Sequence, residues 1–173
     1  MPRHVCDTCD TIHYQNPKIV AGCIPVWQDK ILLCRRAIEP RYGLWTLPAG
    51  FMENGETTLA GAAREALEEA HARMDALKLF TFFSLPHISQ VYVFYRGQLI
   101  DGFAEAGVES LEVELFDEAN IPWHELAFPV VRETLKLFFK DRQRDDYRVH
   151  CGDLHRNENN EIIITLHGEE RHT

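Results

Sequence analysis

Between Gly50 and Glu69 a loop rich in turn formers runs directly into a segment whose periodicity is helical and whose one polar face carries three carboxylates. The loop extends from Glu39 to Gly55 and is dense in Pro and Gly, after which Thr57 or Thr58 offers a hydroxyl cap to a helix running to about Ala72. That run is alanine-rich and free of proline, with Leu59, Ala63, Ala66, Leu67 and Ala70 tracing an apolar stripe. Positions i, i+3 and i+4 share a helix face, so Glu65, Glu68 and Glu69 project together. Uncompensated, they repel and raise one another's pKa values. A divalent cation resolves the conflict. Oxygen-only ligands point to Mg²⁺ or Mn²⁺ rather than zinc, and Mg²⁺ keeps coordination positions open for water and phosphate oxygens.

The chain has 173 residues and a formal charge of −9, the wrong sign for gripping nucleic acid by its phosphates, so nucleic acid is not an expected partner. The charge is uneven. Residues 53–69 hold Glu53, Glu56, Glu65, Glu68 and Glu69 against Arg64 alone, and residues 97–131 hold eight carboxylates and no Lys or Arg. These two segments carry a net −12, which leaves the rest of the chain at +3. Two such patches that fold together need a cation between them. The longest apolar stretch, Ile19 to Trp27, contains Pro25 and is far short of the ~20 residues that span a bilayer, so no membrane partner is expected. Five cysteines without a secretory signal read as reduced thiols in a cytoplasmic protein, with Cys23, Cys34 and Cys151 as small apolar core residues and no disulfides.

Around the central helix the pattern gives strands before and after. Ile19–Trp27 and Ile31–Cys34 flank a polar turn and read as a hairpin. Leu77–Phe83, Val91–Tyr95 and Glu112–Phe116 read as further strands, and Pro129 opens a second amphipathic helix ending near Lys140. Glu161–Leu166 suits a last edge strand. The order predicts an α/β (α+β mixed) fold, an α/β/α sandwich with a mixed β-sheet between helices.

The spacing G-x5-E-x7-R-E-x-x-E-E, carried by Gly50, Glu56, Arg64, Glu65, Glu68 and Glu69, resembles the signature of the Nudix hydrolases, and Gly43-Leu-Trp-Thr-Leu-Pro-Ala-Gly50 resembles that family's lead-in. The resemblance implies that Glu65, Glu68 and Glu69 bind Mg²⁺ (or Mn²⁺) together with the Gly50 carbonyl. It further implies that Arg64 orients the glutamates and that Glu56 supports them. The implied reaction is attack of water on a phosphorus of a nucleoside diphosphate linked to another group, a small-molecule nucleotide substrate. Family members often take a further base from a downstream loop, for which Glu112 is the first candidate and Glu109 the second. The family usually has Gly and then an aliphatic residue where this chain has His71 and Ala72, which leaves two alternatives: His71 adopts the turn, or the helix runs on.

Residues 1–18 resemble the second half of a zinc ribbon that precedes some Nudix domains, residues 19–140 the Nudix domain itself, and 141–173 form a C-terminal extension, an added edge strand. Cys6 and Cys9 have zinc-knuckle spacing, but a structural zinc takes four ligands, and half a site is not expected to bind it. Arg35, Arg36 and Arg41 are substrate-binding candidates, and Tyr42, Trp45 and Phe51 could stack on a base. The span from Cys6 to Lys140 is most similar to the subgroup with FAD and ADP-ribose pyrophosphatases, and Pro86–Tyr92 lacks the element of NADH-cleaving members. FAD or ADP-ribose is therefore the expected substrate, cleaved into two monophosphates. A non-hydrolytic nucleotide-sensing module and a house-cleaning hydrolase of nucleoside triphosphates are the alternatives, and the resemblance is compatible with a homodimer.

Overall fold

The computed structural model describes residues 3–159 and 161–168. Ten-residue β3 (Lys18–Trp27) lies at the centre, and its alternation decides the architecture. Val20 and Ile24 point to one face of the sheet, Ala21 and Cys23 to the other, and both sets are buried. The same two-sided burial recurs in β4 (Lys30–Arg36), with Ile31 and Leu33 opposite Leu32 and Cys34, and in β8 (Gln90–Leu99), with Tyr92 and Phe94 opposite Val93 and Tyr95. A sheet buried on both faces needs a layer on each. Helix α1 (Thr58–Ala70) covers one face through Ala62, Ala66 and Ala70, and α2 (Pro129–Arg144) covers the other through Val131, Leu135 and Phe138. The α/β/α sandwich expected from the sequence is the fold.

Among the described residues the sheet has nine strands in the order β11-β10-β7-β8-β3-β4-β5, with two further pairings off that path. Here β5 is Trp45–Thr46, β7 is Met74–Leu85, β10 is His150–Arg156 and β11 is Ile162–Leu166. Short β6 (Ala49–Phe51) pairs with β3, and β9 (Ser110–Phe116) pairs with β4. The sheet is mixed: β3 runs parallel to β8 from Lys18↔Gln90 to Val26↔Gln98, and β10 runs parallel to β7, while the remaining pairs are antiparallel. A separate two-stranded ribbon, β1 (His4–Val5) with β2 (Ile12–His13), carries the Cys6-x-x-Cys9 turn. The end of the C-terminal extension, 169–173, lies outside the described residues.

Several boundaries differ from those read in the sequence. The hairpin joins β3 and β4 only at Val26↔Ile31 and Trp27↔Lys30, because β3 then leaves β4 to pair with β6 and β8. Strand β10 was not legible: its residues are His, Cys, Gly, Asp, Leu, His and Arg, and Leu154 is its one large apolar residue. Its place comes from the partners β7 and β11 on either side. Helix α2 continues to Arg144, where Asp145 closes it in the left-handed conformation. All five cysteines are free, and Cys23 and Cys34 are buried between the sheet and α1. No helix among the described residues is long and apolar enough to cross a membrane.

Candidate active site

Strand β6 and the start of α1 build one wall of the site. Thr57 Oγ1 accepts the backbone N–H of Ala60 at 3.1 Å and starts the helix. Between strand and helix, Glu56 is a hub: its Oε1 accepts the N–H of Glu53 at 2.8 Å, and Arg64 grips both of its oxygens, through Nε at 3.1 Å and Nη2 at 2.9 Å. This two-pronged contact holds the Glu56 carboxyl below the ordinary carboxylate range, with the Glu53 N–H adding to it. Arg64 Nη1 also donates to Glu65 Oε1 at 2.7 Å and to Glu68 Oε2 at 2.9 Å, and Nη2 to the Phe51 carbonyl at 3.2 Å. One guanidinium thus ties the loop to the carboxylate face of α1. Its own pKa is raised, chiefly by the hydrogen bonds to Glu56.

Glu65 and Glu69 are buried, whereas the Glu68 side chain is more than half exposed. Burial is the first cause that raises the Glu65 pKa. Arg64 opposes it, and repulsion from Glu68 and Glu109 adds to it. Burial pushes Glu69 up to about 8; the Ala49 N–H, which donates to Glu69 Oε2 at 3.1 Å, and the charge of Arg36 pull it down, while Glu65 and Glu109 push it further. Gly50 stands against the Glu65 carboxylate so closely that a Cβ there would overlap it, so a side chain at this position would push the carboxylate aside.

Helix α1 ends at Ala70, and His71 takes the left-handed conformation at φ 46°, the turn for which glycine is usually used. Its Nδ1 lies 3.1 Å from the Glu105 carbonyl. The following loop is laced to the helix end: Glu105 N–H donates to Ala70 O and Gly107 N–H to Glu69 O, both at 2.9 Å. A Cβ on Gly107 would run into the Glu68 carbonyl. On its other side the Glu109 carbonyl accepts the Ala37 N–H at 2.8 Å. Glu109 is thereby fixed between the end of β4 and the carboxylate helix.

These groups open onto a cavity of about 910 Å³, in the range of small-molecule sites. Gly50, Glu53, Arg64, Glu65, Glu68, Glu69 and Glu109 line its acidic end. Ile38, Pro40, Tyr92, Phe94, Phe128 and Val131 line the apolar end, with Arg36 beside them. The two acidic patches of the sequence meet here through Glu109. Glu112 does not: in β9 it pairs across the sheet with Arg35, whose Nη1 donates to its Oε1 at 2.8 Å, and both side chains are more than a third exposed. Of the three candidate arginines the structure brings only Arg36 to the cavity. Arg35 Nε donates to Gly43 O at 2.8 Å, away from the site, and Arg41 lies in the exposed turn at φ 72°. Trp45 is buried edge-on against Phe116, Tyr42 is exposed outside the cavity, and Phe51 forms part of the rim. Sequence reading missed Tyr92 and Phe128 as site residues; the two-residue alternation of β8 offers a signal for Tyr92, but nothing local marks Phe128.

The donor set suits a hard divalent cation: carboxylate oxygens, two of them desolvated and crowded by like charge. As the side chains stand, no three His, Cys, Asp or Glu groups among the described residues converge on one point, and Arg64 holds both Glu65 and Glu68. The Glu68 side chain is more than half exposed, so its ion pair is weak and open to exchange for a metal bond. At the N-terminus, Cys9 is exposed with Sγ 3.1 Å from Thr11 Oγ1, and among the described residues no third ligand joins Cys6 and Cys9.

Comparison with known proteins agrees with this architecture. The NUDIX domain family matches residues 16–141. Over 122 residues the chain is 34% identical to the ADP-ribose pyrophosphatase of Methanocaldococcus jannaschii, covering 66% of this chain and 69% of that enzyme. It is 29% identical over 100 residues to the NAD-capped RNA hydrolase NudC of Klebsiella pneumoniae, covering 57% of this chain but only 38% of that protein. Among solved structures, a NUDIX hydrolase from Nitrosomonas europaea superposes with a TM-score of 0.86 at 52% identity, covering 90% of this chain and 89% of the other. A mixed sheet between two helices, with a carboxylate helix facing a cavity of nucleotide size, defines a hydrolase of phosphoric anhydrides. The chain belongs to the Nudix family.

Proposed function

We propose that this Nudix hydrolase is a Mg²⁺-dependent pyrophosphatase of nucleoside diphosphates linked to a second group, with ADP-ribose as the favoured substrate and FAD, which shares its ADP half, as the alternative. The observation that carries this reading is the two-ended cavity, with the buried carboxylates Glu65 and Glu69 and the exposed Glu109 at one end and an apolar chamber at the other. The Methanocaldococcus jannaschii relative, an ADP-ribose pyrophosphatase, supports the choice of substrate.

Mg²⁺ held by Glu65, Glu68, Glu69 and the Gly50 backbone would neutralise the diphosphate and lower the pKa of bound water. The chain's own groups do the rest. Arg64, anchored on Glu56, keeps Glu65 aligned, the Ala49 N–H orients Glu69, and Glu109, pinned at both sides of its loop, serves as the base whose carboxylate takes the water proton. The water oxygen bonds to one phosphorus as the bridging anhydride bond breaks, which releases two monophosphates. The five free cysteines suit a reducing, cytoplasmic setting.

The test is chromatography of the products from ADP-ribose and Mg²⁺, which should be AMP and ribose 5-phosphate, abolished by chelation. Undiminished turnover in E69Q refutes the role given to that residue, and binding of ADP-ribose with no release of AMP refutes hydrolysis in favour of a sensing module.

A further inference from the structure

Among the described residues Arg36 is the one cation lining the cavity that has no ion pair. It is only 8% exposed, yet among the described residues no carboxylate lies within ion-pair distance of it. Its Nε donates to the Pro40 carbonyl at 2.9 Å, and its guanidinium lies over the Phe128 ring at 5.1 Å from the centroid. These two contacts hold the plane in place. They leave Nη1 and Nη2 without a protein partner among the described residues; since no buried side-chain nitrogen there lacks one, both keep solvent contact, and Arg36 lines the cavity. A buried guanidinium costs several kcal/mol of desolvation in general and is retained where an anion completes it. Its position limits which anion: Arg36 lines the same cavity as Glu69 and Tyr92, and its charge acts on both. It is therefore within reach of the carboxylate cluster and of the apolar chamber.

We infer that Arg36 is a second phosphate anchor, which holds the substrate phosphate farther from the carboxylates by a two-pronged contact while the nucleobase attached to that half enters the chamber of Ile38, Pro40, Tyr92, Phe128 and Val131. The assignment of the base follows from the lining. A planar, weakly hydrated ring suits walls that are mostly aliphatic and aromatic, and Glu39, Thr46 and Gln90, which line the same cavity, are the polar groups left to meet its edge and the ribose hydroxyls. The anchor makes the site read a diphosphate as a unit, with one phosphate at the carboxylate end and one at Arg36. This rests on the reading that the substrate is a nucleoside diphosphate derivative, and it predicts something that reading alone does not: a nucleoside monophosphate binds without metal.

The experiment is calorimetric titration of the full chain in EDTA with AMP, adenosine, ribose 5-phosphate and inorganic phosphate. AMP should bind more tightly than each of the other three. R36Q should weaken AMP by about 10- to 100-fold, the range for loss of a charge-assisted contact, and leave adenosine unchanged, with R36K intermediate. In Mg²⁺ the same variants should raise KM for ADP-ribose more than they lower kcat. Equal affinity of the wild type for AMP and adenosine overturns the anchor without any variant, so a poorly folded R36Q does not shield it. Ribose 5-phosphate binding more tightly than AMP overturns the assignment of the base. Hydrolysis of ADP-ribose is read in a separate assay with Mg²⁺, so failure of the substrate reading is distinguishable from failure of the anchor.

Discussion

In the metal-free protein E69Q should match the wild type's stability in acid, exceed it near neutral pH, and remove a pH dependence that the wild type shows. Glu69 is raised from about 4.5 to about 8, so its carboxyl is protonated in the folded state through the range in which it is ionised in the unfolded chain. The sign follows from proton counting. Between these values the folded state binds one more proton, and stability falls by about 1.4 kcal/mol for each pH unit of increase. The contribution is complete below about pH 4.5 and gone above about pH 8, a total of about 5 kcal/mol as an upper bound. Glu65, raised in the same direction, adds to the slope. Glu56 is lowered and acts only in more acid solution, outside this window. Glutamine keeps an acceptor for the Ala49 N–H but has no proton to lose. Urea denaturation in EDTA at pH 5.5, 6.5 and 7.5 should therefore show the E69Q slope shallower than wild type by about 1.4 kcal/mol per pH unit. Saturating Mg²⁺ should flatten the wild-type curve, because the cation takes the place of the proton, and should change E69Q much less. Identical pH slopes for the two proteins in EDTA would refute the reasoning, since the difference between them isolates this one group.

Three further outcomes follow from the geometry. E109Q should lower kcat by about 100-fold or more with little change in Mg²⁺ affinity, while E112Q, which removes only an exposed partner of Arg35, should keep wild-type turnover; the reverse pattern in steady-state kinetics would return the base to β9. G50A should cost about 100-fold in kcat/KM while the melting temperature moves little, because the new methyl displaces the Glu65 carboxylate rather than core atoms; wild-type activity would show that the Gly50 backbone has room to spare. H71A should lose about 1 kcal/mol through the Glu105 tie and the left-handed backbone, and H71G less, since glycine adopts φ 46° freely; denaturation midpoints rank the two, and equal losses would remove the backbone from the account.

The parts of this molecule that were legible in the sequence are those whose chemistry repeats at a fixed period or conflicts with itself. Three glutamates on one helix face are such a conflict, and the apolar runs of β3 and β4 together with the order of strands and helices predicted the layers, because strands buried on both faces read as nearly continuous apolar sequence. What was illegible depends on contacts between distant segments. Glu112 and Glu109 carry the same side chain in the same acidic stretch; they are separated by Gly107, which passes under the Glu68 carbonyl, and by the β9 register that puts Glu112 opposite Arg35. Neither fact has a local signal. His71 shows the complementary case. Replacement of the usual glycine left two local outcomes open, and the turn prevails because the Ala70 and Glu69 carbonyls it frees are taken up by Glu105 and Gly107, from the same loop that carries Glu109. The helix end and the proposed base are therefore one construction: the backbone carbonyls released where α1 stops are what hold the second acidic patch against the first.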